Sequence, residues 1–141
     1  MKTKIVLALM AGIVISQAGC TTHIRSLPMP ADVQTQSKQG VALYFSDEPH
    51  AGVKKLIETK EVRVRVPRDM NGQEATCNMA LNQALKQLRD YASARQADAV
   101  VNVTTRFQHT ETSSSKEFTC GASNNGSTLA VRGDVVRLDT E

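Results

Sequence analysis

Residues 74–95 read EATCNMALNQALKQLRDYASAR, and residues 96–107 continue QADAVVNVTTRF. In the first stretch Cys77, Leu81, Ala84, Leu88 and Ala92 step by four, three, four and four residues, which predicts one apolar stripe along a helix. Leu85 and Tyr91 widen that stripe, Glu74 suits the helix N-terminus and Arg95 its C-terminus. At 1.5 Å per residue the helix would be ~33 Å long. The periodicity then changes to two. Ala99, Val101, Val103 and Phe107 recur at even spacing, which predicts a strand with these four on one face.

Outward from this core, Glu61-Val62-Arg63-Val64-Arg65-Val66 alternates strictly and is rich in β-branched residues, a strand with one buried face. Pro67 closes it, and Asp69, Asn71 and Gly72 supply turn chemistry before the helix. Val41-Ala42-Leu43-Tyr44-Phe45 is a short apolar strand. Beyond the strand at 99–107, a polar turn leads to Lys116–Cys120, and a Gly/Asn-rich loop precedes a last strand at Leu129–Leu138. In that strand the apolar parity passes from Leu129 and Val131 to Val136 and Leu138, which places a bulge at Gly133. The expectation is an α+β fold in β-β-α-β-β-β order. A small sheet of about four to five strands carries one long helix on one face, all within residues 41–141. Strand 61–66, the helix and strand 99–107 form a right-handed crossover in this reading.

The N-terminus has a different logic. Lys2 and Lys4 precede a stretch from Ile5 to Ile15 that is apolar except at Gly12, and small residues follow at Ala18-Gly19. This is the layout of a secretory signal over residues 1–19, too short for a bilayer span of roughly 20 residues. Cys20 follows directly. Residues 21–40 are mostly polar, contain Pro28 and Pro30, and read as a flexible tether reaching at most ~65 Å. Lys2 and Lys4 belong to the leader, so residues 20–141 hold 15 basic against 14 acidic residues, net +1. That balance gives no argument for nucleic acid. The aromatics, Tyr44, Tyr91, Phe45, Phe107 and Phe118, are too few for a base-stacking platform.

An exported chain meets an oxidising compartment, where Cys77 and Cys120 are expected to pair. A metal pair or a redox thiol would ordinarily show close spacing such as Cys-x-x-Cys, which is absent. Cys120 shares parity with Phe118, so the bond would join the helix start to the sheet.

Two resemblances follow from these residues. Ala18-Gly19-Cys20 resembles the lipobox of bacterial lipoproteins, with Gln17 where Leu is usual. It implies a covalent lipid on Cys20 as the only attached group. Thr21, rather than Asp, after the cysteine implies outer-membrane anchoring facing the periplasm. The run Cys77…Ala80-Leu81…Ala84-Leu85…Leu88…Ala92…Ala97-Asp98-Ala99-Val100-Val101-Asn102-Val103 resembles small envelope lipoproteins related to RcsF and the YbjQ-like domains labelled heavy-metal-binding. Such relatives commonly carry Gly before the Ala-Asp pair, where the helix must end; here Gln96 stands there. RcsF-like proteins carry two domain disulfides, and this chain can form one. A stress-sensing or maintenance role in the envelope is what the likeness implies. Short chains of this kind sometimes carry an excinuclease ATPase label, but no Gly-x-x-x-x-Gly-Lys-Ser/Thr loop is present, which excludes a P-loop ATPase.

No Gly-x-Ser-x-Gly and no Cys–His pairing supports catalysis, so a non-catalytic binding domain is expected. Arg63 and Arg65 alternate with the valines of their strand; Arg106 is set against Phe107 and Arg132 against Val131. The four arginines are expected on one solvated face, suited to a phosphate, a carboxylate or an acidic protein patch. A plain solvated face relieved by Glu61, Glu117 and Asp134 is the simpler alternative. Asp47, Glu48 and His50, close together in a turn-rich loop, are an alternative set of metal ligands. His109 is expected at a sheet edge, and His23 in the tether.

Overall fold

The computed structural model describes residues 21–37 and 40–139; the leader and Cys20 lie outside them. In chain order the elements are β1 (His23–Pro28), α1 (Ala31–Gln36), β2 (Ala42–Phe45), β3 (Val53–Pro67), α2 (Gln73–Ala94), β4 (Ala99–Phe107), β5 (Thr110–Thr112), β6 (Glu117–Ala122) and β7 (Gly126–Leu138). The fold is α+β: a mixed seven-stranded sheet with one long helix.

The helical stripe is the centre of the core. Cys77, Ala80, Leu81, Ala84, Leu85, Leu88 and Ala92 are all buried along α2. They pack with Val62, Val64 and Val66 of β3, Leu129, Val131 and Val135 of β7, Val100 and Val103 of β4, and Phe118 and Cys120 of β6. Fully burying each of the larger side chains contributes about 1.5–3 kcal/mol. Sequence reading and structure agree on α2 to within one residue at each end.

β7 organises the sheet. Its Val131 pairs with Val62 of β3 and also with Thr105 of β4, so β3 and β4 flank it on opposite sides. Both are antiparallel to β7 and therefore parallel to each other. The β3-α2-β4 crossover is thus present with β7 inserted between its strands. β4 and β5 form a hairpin, as do β6 and β7, and β2 adds to β4 in parallel.

Several expectations need correction. Residues 23–36, expected as part of a flexible tether, are folded. β1 pairs antiparallel with β6 along its whole length, and α1 follows. Leu27, Met29 and Val33 enter the core, and Met29 donates its N–H to Lys116 O at 2.7 Å. The folded part starts at His23, and the sheet has seven strands rather than four to five.

The bulge is also displaced. β7 pairs with β3 without interruption through Gly133. The irregularity lies in β4, where Asn102 and Val103 together face Gly133 and Asn102 takes φ 54°. Gly133 is needed opposite it, because a Cβ there would come within 2.4 Å of Val100 Cγ1. The extra residue shifts the parity of β4. Val100 and Val103 face the main core, while Ala99 and Val101 join Val136 in a second small cluster, not the shared face expected. Ala42, Tyr44 and Leu138 pack against that cluster. The change of parity read in β7 is therefore burial on both faces of one regular strand.

Candidate anion-binding face

Each row of paired residues across antiparallel strands places its side chains on one face of the sheet. Val62 and Val64, with Val131 and Leu129 opposite them, form the rows under α2. The alternate rows lie on the other face. Arg65 pairs with Thr128, which pairs with Gly121. Arg63 pairs with Ala130, which pairs with Arg106. Glu61 pairs with Arg132, which pairs with Thr104. The four arginines predicted from alternation thus stand in three successive rows of one face.

They are not equivalent. Arg106 is bonded to Glu61, and its Nη1 donates to Gln108 O at 2.9 Å. The hydrogen bond between Arg106 and Glu61 holds the Glu61 carboxyl below its ordinary range and raises the Arg106 guanidinium. Arg132 reaches Glu111 at 3.3 Å. Arg63 and Arg65 are exposed; the charge of Arg63 also helps hold Glu61 ionised, but among the described residues no carboxylate is hydrogen-bonded to either arginine. Their Cα atoms are two residues apart on one strand, ~6.7 Å. Two guanidinium groups at that spacing can converge on one phosphate or carboxylate.

Beside Arg63 lies a depression of about 130 Å³, lined also by Arg106, Phe107, Gln108, Thr128 and Ala130. Phe107 was expected to point inward with Val103. It is half-buried outside the main core, and its ring occupies space that Gly121 leaves: a Cβ at that glycine would sit 2.4 Å from the ring. Sequence reading missed Phe107, Gln108 and Thr128 as parts of this face. Only the parity of Thr128 opposite Arg65 could have signalled one of them.

The loop carboxylates and histidine do something else. Asp47 accepts the Ser115 N–H at 2.8 Å and its hydroxyl at 3.1 Å, fixing the segment before β6. Glu48 accepts the Phe45 N–H at 3.0 Å. His50 Nδ1 lies 2.7 Å from Ala51 O, and its ring lies 5.6 Å from that of Tyr44. Among the described residues no three His, Cys, Asp or Glu side chains gather as a metal-holding group. Asp47, Glu48 and His50 are not brought together in this structure: Asp47 turns to Ser115, Glu48 to the Phe45 N–H and His50 to Ala51 O. His109 is exposed in the β4–β5 turn, and His23 opens β1.

Cys77 and Cys120 form a disulfide, with Cα atoms 6.1 Å apart and both residues fully buried. Ser127 Oγ lies 3.4 Å from the Cys77 sulfur. At the far end of α2, Tyr91 donates to Glu58 at 2.6 Å, Arg95 stacks 3.3 Å from the Tyr91 ring centroid, and Arg95 Nε pairs with Glu58 at 2.8 Å. These contacts fix both ends of the helix against the sheet that displays the arginines.

Among solved structures, the fold is similar to that of a protein of unknown function of the DUF74 family from Pediococcus pentosaceus, with a TM-score of 0.52 and 13% identity, covering 72% of this chain and all of that one. That likeness is one of fold, the YbjQ-like fold. No family model matches the chain, and none of the curated proteins does.

Proposed function

We propose that the chain is a lipid-anchored envelope protein whose arginine face binds an anionic envelope component without catalysing a reaction. The observation that carries the binding half is the placement of Arg63 and Arg65. They are exposed, consecutive on one face and without a bonded carboxylate among the described residues, whereas Arg106 and Arg132 are held by acids. Exposed guanidinium groups with no hydrogen-bonded carboxylate, beside a depression lined by Phe107, Gln108 and Thr128, suit a phosphate or carboxylate.

The export half is supported by the signal-like leader, the lipobox-like Cys20 and the Cys77–Cys120 bond, since structural disulfides persist in oxidising compartments. The resemblance of residues 77–103 to RcsF-related lipoproteins supports an envelope role in stress sensing or maintenance. By the same lipobox resemblance, Thr21 in place of Asp supports outer-membrane anchoring, facing the periplasm.

A photo-crosslinking residue at Thr128, paired with Arg65 across β3 and β7 and lining the depression beside Arg63, tests the binding half in intact cells. The parent should capture an anionic envelope species, and a variant with Arg63→Gln and Arg65→Gln should lose it. Equal yields of the same product from both would overturn the reading.

A further inference from the structure

The end of the sheet that carries Arg65 is also the end at which the chain enters the domain. His23, Ala122, Ser127 and Val66 form one row across β1, β6, β7 and β3, and Ile24, Gly121, Thr128 and Arg65 form the next. Three strand spacings separate β1 from β3, ~14 Å. Just beyond, Arg68 donates its N–H to Asn125 O and its Nη1 to Asn124 Oδ1, which ties the start of the β3–α2 turn to the β6–β7 turn. Met70 is 101% exposed on the turn into α2, and Ile24 is 48% exposed. The acids at this end are Asp69 and Glu74, and Asp69 already accepts the Asn71 N–H.

Cys20 is three residues before β1, a reach of about 10 Å at most. The headgroup layer on one side of a bilayer is itself roughly 5–8 Å deep. A lipid on Cys20 would therefore hold this end of the sheet against the membrane, not at the end of a long tether.

We infer that the end of the domain formed by Ile24, Arg65, Arg68 and Met70 is a membrane-contacting surface whose arginines meet lipid phosphates while Met70 enters the headgroup layer. This rests on the anchor reading above and names the anionic partner within it. Apolar exposure alone does not select this end, because Leu56, at the other end of β3, is 56% exposed. The position of the anchor selects it, with Leu56 ~33 Å away along the strand.

The chain has no tryptophan, so a single introduced one reports its own surroundings. The full lipidated protein carrying Met70→Trp is reconstituted into phosphatidylglycerol-containing vesicles with brominated lipid. A Leu56→Trp protein serves as the matched probe at the distant end. Trp emission at position 70 should shift to the blue and be quenched by the bromine, whereas that at position 56 should remain as in water. Adding Arg65→Gln and Arg68→Gln should weaken the quenching at 70, more in phosphatidylglycerol than in phosphatidylcholine vesicles. Equal emission and quenching at the two positions overturns the inference. So does a position-70 probe shielded from aqueous iodide but untouched by brominated lipid, which would mean that a second copy covers it. Intact mass separates the two readings: an unacylated chain removes the anchor and this surface together, while an acylated chain whose position-70 probe stays unquenched removes this surface alone.

Discussion

Gln96 occupies a position that favours glycine. Its φ is 58°, in the left-handed region, and it follows Arg95 at the end of α2. Gln96 N–H bonds to Ser93 O and Ala97 N–H to Ala92 O, the paired bonds of a Schellman cap. The helix therefore ends as it would with glycine, at the strain cost of a side chain. Gln96→Gly should raise stability by about 1 kcal/mol in denaturant unfolding, since left-handed geometry costs roughly 1–2 kcal/mol for an ordinary residue, offset in part by glycine's extra chain entropy. Gly133 presents the opposite case. Gly133→Ala should cost about 1–3 kcal/mol through overpacking against Val100. Adding Val100→Ala to the Gly133→Ala chain should recover part of that loss beyond simple additivity, measured as a double-mutant cycle.

At the scale of elements, the Cys77–Cys120 bond joins the first turns of α2 to β6 across 43 residues. In the chain-entropy model such a closure is worth ~4 kcal/mol. Cys77→Ala with Cys120→Ala should lower the melting temperature markedly; an unchanged melting curve would show that α2 docks without it. On β3, Arg63→Gln should leave stability nearly unchanged, because it acts on an exposed position, while Val64→Gln should cost several times more by burying an amide against α2. Both differences are readable from denaturant midpoints. The sequence showed these elements well where a period persisted: eight buried positions stand along α2, and Val62, Val64 and Val66 alternate cleanly. It hid β1 because that strand is an edge, with Pro28 at its end and few of its side chains buried. The two-residue step from Leu27 to Met29 was the sole period-two trace there. The bulge at Asn102 was hidden for a different reason. Residues 99–101 are buried on both faces, so hydrophobicity no longer marks a face. The arginine face was legible from β3, but Phe107 was misplaced because the gap it fills is set by Gly121 on another strand.

At the scale of the whole molecule, charge and compartment meet. Glu61 is held below its ordinary pKa chiefly by the hydrogen bond from Arg106, and Glu58 by the hydrogen bond from Tyr91. Carboxyls with a lowered folded pKa stabilise the fold above their unfolded value, near 4.3, and that contribution is lost as pH falls through the folded value. Stability should therefore decline below about pH 4.5, and Glu61→Gln should flatten the part of that decline due to this pair. Equal acid slopes in parent and variant would contradict the assignment. The larger claim is that this domain lives in an oxidising envelope compartment, held to a membrane through Cys20. The intact mass of the mature protein extracted from membranes tests it most directly. The account predicts a chain starting at Cys20, carrying acyl chains on that residue and lacking two hydrogens for the Cys77–Cys120 bond. An unacylated chain, or one with both Cys77 and Cys120 as free thiols, would contradict it.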